Sequence, residues 1–216
     1  MLVDNEQILE ALWETIYMTG VAFLFSVIIG FILGLLLVVT RKGHLLENEP
    51  VSKVLNVIIN IFRSVPFIIL MVAIIPLTRI IVGTSIGTAA AIVPLVFYAG
   101  PYIARLIENS LLEVDKGVIE AAQAMGASPF QIVFRFLIPE ALSSLVLALT
   151  IAIVGLIGAS AMAGAIGGGG LGDLAITYGY QRFDTLVMVV TVAILVVLVQ
   201  GVQSGGNLLS RRVRRR

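Results

Sequence analysis

Long apolar stretches alternate with short polar ones along nearly the whole chain, and their length sets the fold class. A helix needs about 20 mostly apolar residues to cross the hydrocarbon core of a bilayer. Five stretches reach that length, at about 15–39, 54–77, 86–107, 141–164 and 185–203. The pattern predicts an all-α integral membrane protein with five transmembrane helices. It divides the chain into a tail over 1–14, a transmembrane domain over 15–206 and a basic tail over 207–216.

One polar break is too structured to be a mere connector. In the 113–139 insert, Asp115 is placed to cap a helix over 116–125, and Gly126 can take the left-handed position that ends it. Ser128, Pro129 at the first helical position and Gln131 three residues after the serine form a capping box that starts a second short helix. Ala121, Ala122, Ala124 and Ala127 keep the first helix slim, so that another protein's groove can approach its backbone. The plainer alternative is a loop that only joins two spans.

Composition agrees with a membrane class. The chain is 59% hydrophobic and 12% charged, and its mean hydropathy is +1.07, more apolar surface than a water-soluble core can bury. The net charge of +1 matters less than where the cations fall. Arg41, Lys42 and Lys53 lie between spans one and two, Arg105, Lys116 and Arg135 flank or occupy the insert, and 211–216 is nearly all Arg. The remaining loops contribute only Arg79 and Arg182. The positive-inside rule then expects the N-terminus outside, the C-terminus inside and the insert in the cytosol. The terminal RRVRRR reads as an anchor on anionic lipid rather than a nucleic-acid binder. The first charges, Asp4, Glu6, Glu10 and Glu14, do not make the cationic start of a signal peptide, so the first span is expected in the mature protein.

Catalytic chemistry is nearly absent. There is no Cys, and the single histidine, His44, lies in a polar loop, so neither a disulfide framework nor a Cys/His metal site is expected. Gly167, Gly169 and Gly172 fit a G-x-G-x-x-G spacing, but they follow an apolar helix where a dinucleotide site requires a strand. No Gly-rich loop ends in Lys-Ser or Lys-Thr, so a nucleotide driving this protein must be held by another subunit. Glu14, Arg105, Glu108 and Glu140 fall near span ends and leave the span centres without carboxylates, which argues against an ion relay.

Arg63 is the one charge clearly inside a span. A structural role is expected for it, either snorkelling to the inner surface or pairing with Glu108 or Glu113. Pro66, Pro76, Pro94 and Pro101 interrupt spans two and three and permit bends. Span four carries Gly155, Gly158, Ser160, Ala161, Met162, Ala163 and Gly164, a small-residue surface with room beside Met162. Gly30 and Gly34 in span one suit dimer contact or intrachain packing equally, and 164–172 reads as a flexible turn. Five spans are few to enclose a pathway alone, which makes a homodimer the economical arrangement.

Glu120-Ala121-Ala122, Gly126 and Pro139 resemble, in identity and spacing, the EAA loop of ATP-binding-cassette importer permeases, with Phe136 and Ile138 standing where that family has Ile and Leu. The similarity extends to the permeases of methionine importers in Trp13-Glu14-Thr15, Asn60-Ile61-Phe62-Arg63-Ser64-Val65-Pro66-Phe67, Ile81-Val82-Gly83-Thr84-Ser85-Ile86-Gly87, Ala161-Met162-Ala163-Gly164, Gly169-Gly170-Leu171-Gly172 and Tyr178-Gly179-Tyr180. The resemblance implies a type I importer permease fold in a bacterial cytoplasmic membrane. It implies a homodimer on two cytosolic ATPase subunits that hold ATP-Mg, with no cofactor on this chain, fed by an extracytoplasmic methionine-binding protein. By position, Glu120, Ala121, Ala122, Gly126, Ser128 and Pro129 would meet the ATPase, and Met162 with Ser160, Gly164 and Pro66 would lie along the path or gate. The implied activity is import of methionine, L and D, by alternating access. The alternatives are a permease for another small amino acid or related solute, and, from a different class, a passive channel or ion-coupled carrier.

Overall fold

The computed structural model describes residues 3–214, and no strand occurs among them. Ten α-helices follow in order: α1 (Asn5–Thr40), α2 (Glu49–Ser64), α3 (Phe67–Ala73), α4 (Ile75–Val82), α5 (Thr88–Leu112), α6 (Lys116–Ala124), α7 (Pro129–Ile132), α8 (Ile138–Gly164), α9 (Gly170–Leu174) and α10 (Thr185–Arg214). A π-helical turn, Val133–Leu137, links α7 to α8, and a second, Ala175–Gln181, follows α9. Among the described residues four helical stretches are long and apolar enough to cross a membrane, and α2 with α3, a pair bent by 101°, makes a fifth if counted as one span.

That bend falls at Pro66, one of the prolines expected to interrupt span two. Pro66 has no N–H to continue the helix and disfavours helical geometry at the residue before it, so Val65 is extended (φ −87°, ψ 123°) and the chain turns there. Pro76 falls in the first turn of α4, where a missing N–H costs nothing. Pro94 and Pro101, by contrast, lie inside an uninterrupted α5. This helix is the most buried of the spans, with 56% of its apolar window inside the protein, and neighbours on several sides hold it together.

Helix ends also move from their expected places for local reasons. Asp4 accepts the Gln7 backbone N–H at 2.8 Å and Gln7 answers the Asp4 N–H at 3.2 Å, a capping box that starts α1 well before residue 15. α10 runs on through the basic tail to Arg214, which makes 207–214 helical; Arg215 and Arg216 of the expected lipid anchor lie outside the described residues.

Close packing of α1 on α5 forms the centre of the bundle. A Cβ added to Gly30 would sit 2.6 Å from Ile103 Cγ2, and one on Gly34 2.6 Å from the Ala104 carbonyl. Both glycines therefore serve contact within the chain, where the backbones meet too closely for any side chain. Fully buried Met18, Leu95, Ile103, Leu137 and Leu156 extend this core from α1 and α5 to α8. α10 is peripheral, with 11% of its window buried. It is fastened to α8 where Ser143 and Ser210 hydroxyls lie 2.9 Å apart.

The glycine-rich 164–172 segment is clamped rather than flexible. The Glu14 carboxylate accepts the Gly170 N–H at 2.6 Å and the Thr88 hydroxyl at 3.1 Å. Thr15 Oγ1 accepts the Leu171 N–H at 2.9 Å, and the Gly87 N–H donates to the Gly167 carbonyl at 2.8 Å. These bonds satisfy backbone groups that apolar surroundings would otherwise leave unpaired.

Candidate functional site

An exposed, well-built segment lies between α5 and α8. Asp115 accepts the Gly117 N–H at 2.7 Å and caps α6. Gly126 takes φ +77°, a conformation open to glycine and costly for other residues. Ser128 and Gln131 complete the capping box of α7 at 2.9 and 3.4 Å. The local signals read from the sequence thus produce the helix–bend–helix they call for.

The continuity of the insert's second helix with α8 was not foreseen. α7 is no isolated helix: Pro129–Gly164 forms one helical stretch through the π turn. Pro139 supplies the reason, since its ring would crowd the carbonyl four residues earlier and it cannot donate to it, so the backbone widens by one residue instead of breaking. The insert is therefore the head of a helical rod that crosses the whole bundle.

Burial sorts the residues expected at the ATPase contact. Glu120, Ala121, Gly126, Ser128 and Pro129 are exposed. Ala122 is fully buried and its carbonyl accepts the Ala127 N–H at 3.1 Å, so it faces the subunit's own interior. Met125 and Phe130, which sequence reading passed over, are each 71% exposed. Phe130 stacks at a tilt on Phe134, ring centroids 4.4 Å apart, so the insert presents an apolar surface flanked by polar residues. Large exposed apolar side chains on a polar insert mark a contact surface.

Beside this insert a cleft of about 540 Å³ is lined by Arg41, His44, Lys116, Ile119, Glu120 and Gln123. Burial, then the Arg41 and Lys116 cations, push the His44 imidazole below the ordinary histidine value.

A second polar feature runs along α2. Glu49, Ser52, Lys53, Asn56, Asn60 and Arg63 recur every three or four residues and make one polar stripe on an otherwise apolar helix. Asn56 and Asn60 accept from Arg105 Nη2 at 2.9 and 3.0 Å. Arg105 pairs with the buried Glu108 at 2.5 Å, and Arg41 approaches the same carboxylate at 3.8 Å. Glu113 instead accepts the Ser144 hydroxyl at 2.5 Å. Both carboxylates expected for Arg63 are therefore taken. Arg63 is exposed and makes no ion pair or hydrogen bond among the described residues.

The residues expected along the path also divide. Met162, 53% exposed, and Pro66 lie on the surface of the subunit. Ser160 is buried and donates to the Ile157 carbonyl at 2.8 Å. Gly164 is buried under Gly172 and Asp173, whose backbones leave no room for a Cβ. These two belong to the interior of the subunit rather than to its surface. Next to Pro66, Phe67 meets Tyr98 edge-on at 5.2 Å between centroids, and Tyr98 stacks on Tyr102 at 6.4 Å.

A multi-pass helical subunit with an exposed helix–bend–helix joined rigidly to a central span is the architecture of a membrane component that works with other proteins. Residues 26–215 match the family described as binding-protein-dependent transport system inner membrane component, and the chain belongs to this family. It is thus the permease subunit of a transport system and not an enzyme. The probable D-methionine transport system permease protein MetI of Vibrio cholerae is 53% identical over 211 residues, covering 98% of this chain and 94% of that protein. The D-methionine transport system permease protein MetI of Escherichia coli K12 is 54% identical over 157 residues, 73% of this chain and 72% of that protein. Among solved structures, an inward-facing form of the MetNI methionine ABC transporter superposes with a TM-score of 0.95 at 48% identity, covering 98% of this chain and 99% of the matched one.

Proposed function

We propose that this chain is the permease of an ATP-driven methionine importer, moving L- and D-methionine into the cytoplasm by alternating access. Near-full-length identity to permeases named for D-methionine transport carries the substrate reading. Two copies would form the pathway on two cytosolic ATPase subunits, with ATP-Mg held by those subunits and solute delivered by an extracytoplasmic binding protein. The cation distribution supports an N-terminus outside and the insert and C-terminus inside a bacterial cytoplasmic membrane, with 15–206 as the transport domain.

In this reading Glu120, Ala121, Gly126, Ser128 and Pro129, joined by Met125 and Phe130, form the surface that docks on the ATPase. Ala122 fixes α6 to the subunit beneath that surface. A push on the insert travels along the single helical stretch Pro129–Gly164, because an unbroken helical rod tilts as a unit, and reaches Met162 near its far end. ATP and solute shift the inward–outward equilibrium only through different affinities for the two states.

The test is uptake of labelled methionine into proteoliposomes holding the permease, its ATPase and the binding protein, against a panel of other amino acids. Uptake of methionine that requires ATP and the ATPase subunit supports the proposal. Flux without the ATPase would make the protein a passive pathway, and uptake confined to another amino acid would reassign the substrate.

A further inference from the structure

Arg63 occupies a position that neither packing nor lipid accounts for. α2 climbs α5: Asn56 and Asn60 touch Arg105, and the next turn brings Phe62 to Phe97 with ring centroids 6.1 Å apart. At 1.5 Å of rise per residue, Phe97 lies about 12 Å further along α5 than Arg105, and about 22 Å from the Leu112 end. Arg63, beside Phe62, thus lies inward of the Arg105–Glu108 charges, within the apolar part of the bundle. A guanidinium at that depth faces a polar cavity or a partner, since exposure to lipid there is costly.

Its neighbours define which face is polar. Arg63 continues the Asn56–Asn60 stripe, and Ser64, also exposed, follows it immediately before the Pro66 break. The two carboxylates expected for Arg63 lie further along α5 and bond other groups, Glu108 with Arg105 and Glu113 with Ser144. Arg63 therefore presents its whole donor fork to whatever fills the space beside α2. The fork geometry of guanidinium matches a carboxylate through two parallel hydrogen bonds.

We propose that Arg63 is a binding residue for the α-carboxylate of the transported amino acid, at the point where α2 breaks beside a pathway between two copies. The proposal rests on the reading of this chain as an amino-acid importer. The stripe from Lys53 through Asn56 and Asn60 to Arg63 forms the hydrated side of that pathway, and the α2–α3 bend sets how far the guanidinium projects.

The complete transporter in proteoliposomes tests this by the number of methionine molecules taken up per ATP hydrolysed, for wild type, Arg63→Gln and Arg63→Lys with the same binding protein. Arg63→Gln is expected to assemble and hydrolyse ATP as wild type does while uptake per ATP falls at least about tenfold, the usual worth of a charge-assisted hydrogen bond. Arg63→Lys, which keeps the charge without the fork, is expected to recover part of the loss. Unchanged uptake per ATP in Arg63→Gln would overturn the proposal, as would a parallel loss of assembly, hydrolysis and uptake, which marks a purely structural role. If the wild-type transporter moves a different amino acid, the methionine reading falls and the same ratio on that solute decides Arg63. If it moves only solutes lacking a carboxylate, the Arg63 site falls.

Discussion

The Glu14 carboxylate accepts the Gly170 backbone N–H at 2.6 Å across 156 residues of sequence, tying the first transmembrane helix to the glycine-rich turn after α8. A charge-assisted bond of this kind in apolar surroundings contributes about 2 kcal/mol, and its loss leaves a backbone donor unpaired. Glu14→Ala is expected to lower the thermal unfolding midpoint of the purified protein clearly. Glu14→Gln, whose carbonyl can still accept from Gly170, should lower it less. Equal midpoints for all three proteins would mean the clamp does not hold the turn.

Gly34 and Gly20 make an internal control on the same helix. A Cβ at Gly34 meets the Ala104 carbonyl at 2.6 Å and Ile107 Cβ at 2.9 Å, whereas one at Gly20 meets nothing within 4 Å. Gly34→Val should force α1 from α5 at a cost of about 1–3 kcal/mol. Gly20→Ala should be neutral or slightly stabilising, because alanine is the better helix former. Fluorescence-detected gel filtration after heating reads both.

His44 gives a pH signature at the insert end of the bundle. Its folded-state value is pushed below the ordinary histidine value, so the folded protein prefers the neutral ring and the unfolded chain binds the proton more readily. Stability from this residue is present above the ordinary histidine range and is lost as pH falls through the folded-state value. Wild type should therefore lose more thermal stability than His44→Gln between pH 7 and 5. The same slope in both proteins would remove His44 as the cause.

Gly126 and the apolar tip separate folding from coupling. Gly126 has free space around it but φ +77°, so Gly126→Val strains the bend without a steric clash. The variant should insert and purify yet bind the ATPase weakly and transport poorly. Phe130→Asp leaves the backbone alone and should weaken ATPase co-purification through loss of apolar contact. Wild-type uptake by both variants would contradict the docking surface.

What was legible in the sequence was short-ranged. Asp115, Gly126, Ser128 and Gln131 act on backbone groups two or three residues away, so their pattern specified the insert before any fold was known. The spans were legible because crossing a bilayer demands apolar length. What escaped depended on partners far along the chain. Gly164 looked like pathway lining until Gly172 and Asp173 folded onto it. Ala122 shares its residue type with Ala121 but is turned about 100° from it around α6, and only the packing of α6 against the π turn shows which of the two faces inward. Arg63 lost its expected partners because Glu108 pairs with Arg105, one turn away on α5, and Glu113 bonds the Ser144 hydroxyl.

Site-specific photocrosslinking from position 125 tests the central claim most directly, because Met125 projects from the insert while position 122 lies beneath it. With a photoreactive side chain at 125 in the assembled transporter, a covalent adduct to the ATPase subunit is expected, and its yield should change between nucleotide-free and ATP-bound states. No adduct to the ATPase from position 125, or accessibility of that position only from the extracytoplasmic side of intact cells, would contradict the account.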